Sequence, residues 1–139
     1  MMTLVEFENS LAEPGKCFHR IDGNLIEKYN EYFKENAKVG DGATVCYWSD
    51  REAYTIIKRT AQTLTLRRCK ATLKPEFKPE FIPGGFVGTV VNQHEQDYDY
   101  EEDENGAVIV AHWSKKFGKF RWGSLSVIPG RSEYYNYNF

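Results

Sequence analysis

The stretch ATVCYWSDREAYTIIKRTAQTLTLRRCKA, residues 43–71, decides the fold. Ala43–Trp48 is rich in the branched and aromatic residues that fit a pleated surface, and Ser49-Asp50-Arg51 reads as a turn. Two further strands, Ala53–Thr60 and Thr63–Ala71, face each other as a hairpin across Ala61-Gln62. In the second of them Leu64 and Leu66 alternate with Thr63 and Thr65, the period of two that buries one face of a sheet. Downstream the same grammar continues. Phe86–Val91 reads as a strand, and Gln96–Glu102 sets Tyr98 and Tyr100 on one face against Asp97 and Asp99 on the other. Asn105-Gly106 is the pair that a type I′ hairpin demands. With Ala107–Trp113, a turn at Gly118 and Lys119–Trp122, residues 96–122 read as a three-stranded antiparallel meander, followed by a short strand at Leu125–Ile128. Short sequential strands with short turns predict a mainly β domain, a small antiparallel barrel or sandwich that is SH3-like over residues 42–72.

Upstream of the strands, residues 24–38 predict one amphipathic helix, because Leu25, Tyr29, Tyr32 and Phe33 fall on a single stripe. Residues 1–20 read as an N-terminal arm, with Thr3–Phe7 as a short strand, and residues 21–139 as one β-rich domain. Residues 74–85, KPEFKPEFIPGG, carry three prolines, which forbid an interior strand and predict an exposed, extended connection. The ending EYYNYNF is too aromatic to stand free in water. It is expected to dock on its own barrel or on a second copy in a homo-oligomer.

The 139 residues carry 18 Lys and Arg against 20 Asp and Glu, a formal charge of -2. That balance excludes both a generally polybasic and a strongly acidic protein. Apolar runs are short, so no membrane span is expected, and the first twenty residues lack the pattern of a secretory signal. Cys17, Cys46 and Cys69 are odd in number and widely spaced, which fits neither a disulfide framework nor a zinc site. No cofactor or metal is expected. The G-x-S-x-G, H-E-x-x-H, Walker A and G-x-G-x-x-G signatures are all missing, so binding without catalysis is the expectation.

Three clusters are candidates for that binding. On the hairpin, Arg67, Arg68 and Lys70 lie where a strand ends, and an arginine there can grip a phosphate as a fork. The run WSKKFGKFRW, residues 113–122, interleaves cations with rings, and Arg121 and Trp122 are its candidates for charge and stacking. The acidic stretch from Glu95 to Glu104 holds seven carboxylates in ten positions. Such a strip can mimic a phosphate backbone, or balance the basic strand that follows it in the same meander, and the overall charge of -2 argues against a dedicated DNA mimic.

The segments VGDGATVCYWSDREAYTII (39–57), CKATL (69–73), KPEFIPGGFVG (78–88) and GRSEYYNYNF (130–139) together resemble a family of small, mostly uncharacterised proteins of tailed phages and prophages. The resemblance covers the chain from about Val39 onward. It implies a phage-encoded accessory protein of the infected host's cytoplasm, with counter-defence as its class of function, and it brings no catalytic roles with it. Its strings also contain Trp48, Arg51, Arg131 and Tyr134, which complete the candidate ligand-binding set. The expected ligand is a phosphate-bearing small molecule, such as a nucleotide immune signal, held and not transformed. The alternatives are a nucleic-acid-binding accessory protein, an inhibitor that docks on a host protein, and a structural part of the virion.

Overall fold

The computed structural model describes residues 3–11, 23–78, 81–82, 89–90 and 96–135. Six strands close into an antiparallel barrel: β1 (Gly42–Cys46), β2 (Arg51–Arg59), β3 (Thr63–Arg68), β8 (Val108–Ser114), β9 (Lys119–Trp122) and β10 (Leu125–Pro129). Around the barrel the order is β1-β10-β9-β8-β3-β2, and β2 returns to β1. The mainly β reading holds, and of the two architectures it is the barrel. That barrel runs from Gly42 to Pro129, well beyond residues 42–72. The predicted hairpin across Ala61-Gln62 is present, locked by the Thr60 and Thr63 hydroxyls 2.6 Å apart.

The inward faces follow the predicted alternation. Val45, Ile56, Leu64, Leu66, Ala111, Phe120 and Val127 are fully buried. A helix, α2 (Gly23–Asn36), packs on β9 and contributes Phe33 to that core, and Ala37 joins it just past the helix end. The Phe33 ring meets Phe120 edge-on, with centroids 5.6 Å apart. The helix ends two residues before the predicted boundary. Arg59 on β2 donates to the carbonyls of Lys34 and Ala37, so a guanidinium satisfies the orphan acceptors and favours the negative end of the helix dipole.

Three expectations are corrected. Thr3–Phe7 is not a strand: Leu4–Leu11 forms a second helix, α1. Its start is a capping box, in which the Glu6 amide donates to Thr3 Oγ1 and the Thr3 amide donates to Glu6 Oε2. Phe7 then packs among Leu25, Tyr29 and Tyr32 of α2.

The meander over 96–122 is broken. β7 (Tyr98–Glu101) pairs with β4 (Lys70–Leu73) in a two-stranded ribbon, while β8 pairs with β3. From Arg67 to Lys70 is three residues, but from Val108 back to Glu101 is seven. Four extra residues therefore leave the pairing between β7 and β8. Asn105-Gly106 sits in that excursion rather than in a type I′ hairpin, and Gly106 does not have a positive φ. Its missing side chain serves a close approach instead: a Cβ there would lie 2.3 Å from the Arg68 carbonyl oxygen. The carboxylates of 97–102 consequently balance the β3–β4 arm, not the run 113–122. Lys74 bonds Asp97 at 3.0 Å, and Lys70 stands opposite Glu101.

The proline-rich segment is not uniformly extended. The Phe77 amide closes a turn onto the Lys74 carbonyl, and the Phe77 ring is buried. β5 (Phe81–Ile82) pairs with β6 (Thr89–Val90). The remainder of the strand expected at Phe86–Val91, Cys17 and the last four residues of the aromatic tail lie outside the described residues. No helix of the described residues is long and apolar enough to cross a membrane.

Candidate functional site

Beyond β10 the chain turns back over the outer wall of β1 and β2. Outward positions there would ordinarily be wet, yet Thr44 and Thr55 are buried because residues 130–134 lie on them. The Thr44 hydroxyl donates to the Gly130 carbonyl at 2.7 Å and accepts from the Ser132 amide at 2.8 Å. Tyr134 exchanges both backbone hydrogen bonds with Arg51. The segment docks on its own barrel as far as Tyr134, through main chain and hydroxyls as much as through rings.

Glu133 fastens this segment to the barrel. Its carboxylate accepts from both terminal nitrogens of Arg68 at 2.8 Å and from the Ala53 amide at 2.8 Å. The Glu133 amide donates to the Tyr100 hydroxyl, which ties in the β4–β7 ribbon. Burial pushes the Tyr100 hydroxyl up; the Glu133 amide opposes this, the Glu133 and Asp97 charges reinforce it, and Arg51 again opposes it.

Between the returning segment and the ribbon lies a polar cleft of about 360 Å³, lined by Arg51, Tyr98, Tyr100, Arg131, Glu133 and Tyr134, among others. Three predicted site residues, Arg51, Arg131 and Tyr134, meet here from positions that are 80 or more residues apart in two of the pairings. The Arg51 guanidinium rests on the Tyr134 ring at 5.2 Å, a cation–π contact that uses none of its hydrogen-bond donors. Arg131 is anchored through one nitrogen, Nη2, which donates to Thr55 Oγ1 at 3.0 Å and to the Gly40 carbonyl at 3.2 Å. Gly42 makes room for it, since a Cβ there would come within 2.6 Å of Arg131 Cγ. The two acids of the lining are already matched, Glu133 by Arg68 and Asp97 by Lys74. The Lys74 hydrogen bond holds the Asp97 carboxyl below the usual carboxylate range. Arg51 and Arg131 are therefore the cations of this lining without a carboxylate in ion-pair distance, among the described residues.

The remaining predicted residues lie elsewhere. Arg68 continues the inward parity of Leu64 and Leu66 to the rim, as expected, and there it holds Glu133. Arg67 lies on the outer wall with Nη2 3.7 Å from Glu102, and Lys70 is exposed on β4. Trp48 stands at the β1–β2 turn, 92 % exposed. Arg121 is on the outer face of β9 with its guanidinium 4.2 Å from the Phe117 ring centre. Trp122 ends that strand opposite Leu125.

Reading the sequence missed Gly42, Thr44, Tyr100 and Glu133. Glu133 did carry a signal, as the first acid after the long acid-free run 105–132. A second cleft of about 480 Å³, largely apolar, runs between the helices and the barrel with Leu4, Ile26, Tyr29, Ile128 and Pro129 on its walls, and it shares Arg131 with the first. Among the described residues no group of three or more His, Cys, Asp or Glu side chains could hold a metal ion.

Fold and cleft together define a small closed β-barrel with an arginine-bearing recess on its outer wall. No protein family, no curated protein and no solved structure matches the chain.

Proposed function

We propose that this chain is a non-catalytic binding protein, encoded by a tailed phage or prophage, that sequesters a phosphate-bearing small molecule of the nucleotide class and so withholds it from a host defence receptor. The observation that carries the reading is the convergence of Arg51 and Arg131 on one recess, each without a carboxylate partner and each held from one side. Guanidinium forks suit a phosphate's oxygens, and the tyrosine rings around them offer flat faces to a base. Retention requires only tight stoichiometric binding.

The test is a melting series with a panel of nucleotides. A ligand at 100 times its Kd stabilises by about 2.7 kcal/mol, which raises the Tm of a domain of this size by several degrees. Arg51→Gln should abolish the shift while leaving the unliganded melt nearly unchanged, because that side chain rests on a single half-buried ring and, among the described residues, makes no ion pair. If no nucleotide shifts the melt, or if the bound nucleotide is turned over, the reading fails.

A further inference from the structure

The strand register carries the cleft further around the barrel than its own walls do. Val45, Val127 and Phe120 are the inward residues of β1, β10 and β9. Alternation therefore places Cys46, Ser126 and Arg121 on the outside. They stand side by side. Arg51 is opposite Cys46, Cys46 is opposite Ser126, and Ser126 is opposite Arg121. From Arg51 to Arg121 is three inter-strand steps, roughly 14 Å at ~4.8 Å per step. The two residues between are small, so the row forms a shallow trough with a guanidinium at either side. Lys119 shares Arg121's face two residues earlier. Burial pushes the Cys46 thiol up, and Arg51 and Lys119 both pull against it, so both charges act on the trough floor.

The far side of this trough lacks counter-charge. Residues 105–132 contain neither Asp nor Glu, and among the described residues neither Lys119 nor Arg121 has a carboxylate in ion-pair distance. Arg121 Nε is buried with no acceptor, a donor the fold itself leaves unsatisfied. Two rings flank the row. Phe117, half exposed, lies under Arg121, and the bare indole of Trp48 stands two residues beyond Cys46. Cations in file with exposed rings beside them are the means by which proteins hold single-stranded nucleic acid.

We propose that this trough is a second phosphate subsite and that the ligand is a short single-stranded oligonucleotide with at least two phosphates. One phosphate sits at Arg51 and Arg131, the next at Arg121 and Lys119, and a base stacks on Trp48. The inference rests on the reading of the recess as a nucleotide site.

Titration of the full chain with two probes tests it. One is an equimolar mixture of the four nucleoside 5′-monophosphates; the other is a 5′-phosphorylated dinucleotide with randomised bases. The dinucleotide should bind at least tenfold more tightly. The double variant Lys119→Gln, Arg121→Gln should reduce it to the mononucleotide level and leave mononucleotide binding unchanged, whereas Arg51→Gln should weaken both. The same double variant should flatten the dependence of log Kd on log salt, by about 0.7 per lost phosphate contact, which a merely structural role would not do. Equal affinity for the two probes, or a double variant that binds the dinucleotide like the parent, overturns the second subsite and leaves the first intact. Binding of neither probe removes the nucleotide reading itself.

Discussion

Arg68 and Glu133, 65 residues apart in sequence, form a two-pronged ion pair with both N–O distances at 2.8 Å. Burial alone would lower the Arg68 pKa; the hydrogen bonds and charge of Glu133, with Glu52 and Tyr54 behind them, outweigh it and leave it raised. The pair joins the strand that begins the β4 arm to the segment that covers β1 and β2. It is the fastening of the candidate site rather than part of its ligand-binding surface.

Removing one partner should therefore cost more than removing both. Glu133→Gln is expected to destabilise by about 2–4 kcal/mol, because the mostly buried guanidinium loses its counter-charge. The double variant Arg68→Met, Glu133→Leu should recover a large part of that loss. Urea unfolding of the parent, both single variants and the double variant measures the coupling; a double variant whose loss equals the sum of the two single losses would show that the pair contributes nothing through charge.

Two glycines should respond differently to alanine. At Gly118 the backbone has φ of 65° and nothing lies within 4 Å of a Cβ, so the cost is conformational, about 1 kcal/mol. At Gly106 the Cβ would strike the Arg68 carbonyl at 2.3 Å, so Gly106→Ala must displace the excursion between β7 and β8. It should cost clearly more in Tm and should also perturb Arg68. A Gly106→Ala protein as stable as Gly118→Ala would contradict the close approach.

The ring by which α2 enters the barrel core is that of Phe33. Phe33 is 1 % exposed and meets Phe120, which in turn meets Trp113 at 5.2 Å. Phe33→Ala is expected to cost roughly 3–5 kcal/mol and to alter the near-ultraviolet circular dichroism of the Trp113 environment. Loss of less than 1 kcal/mol would mean that the helix is dispensable to the core.

Alkaline pH should loosen the molecule through its phenols. Burial first, then the Tyr47 and Glu52 neighbours, hold the Tyr54 hydroxyl well above its ordinary range, and burial also raises Tyr100. Their folded-state pKa values lie above the unfolded value of ~10, so this contribution is complete below pH ~10 and is lost as pH climbs through the folded values. The Tm should fall above pH ~10, and Tyr54→Phe should soften that fall. Absorbance at 295 nm, a phenolate wavelength, should show these hydroxyls ionising late; if all nine tyrosines titrate together, the burial argument is wrong.

The elements that could be read from sequence are those whose cause is local. The alternation of Leu64 and Leu66 with threonines fixed a face, the Tyr98 and Tyr100 parity fixed another, and the Leu25 to Phe33 stripe fixed a helix. Pairing between β7 and β4 was hidden, because Asn105-Gly106 is equally good at ending a hairpin and at rounding an excursion. What decides between them is the Arg68 carbonyl, 38 residues away. Thr3 and Glu6 did spell a capping box, but the short apolar pattern around them also fits a strand. In the site, arginines announce themselves by type, whereas Thr44 and Glu133 acquire meaning only when the chain folds back across β1.

The seam of the barrel joins Gly42–Cys46 to Leu125–Pro129, and the recess is assembled from residues 131–134, which follow that seam, together with strands made far earlier. During synthesis every earlier hairpin can form while the wall stays open. Ligand competence should therefore switch on late and all at once, so a ribosome-stalled chain ending near residue 124 would have secondary structure but no affinity.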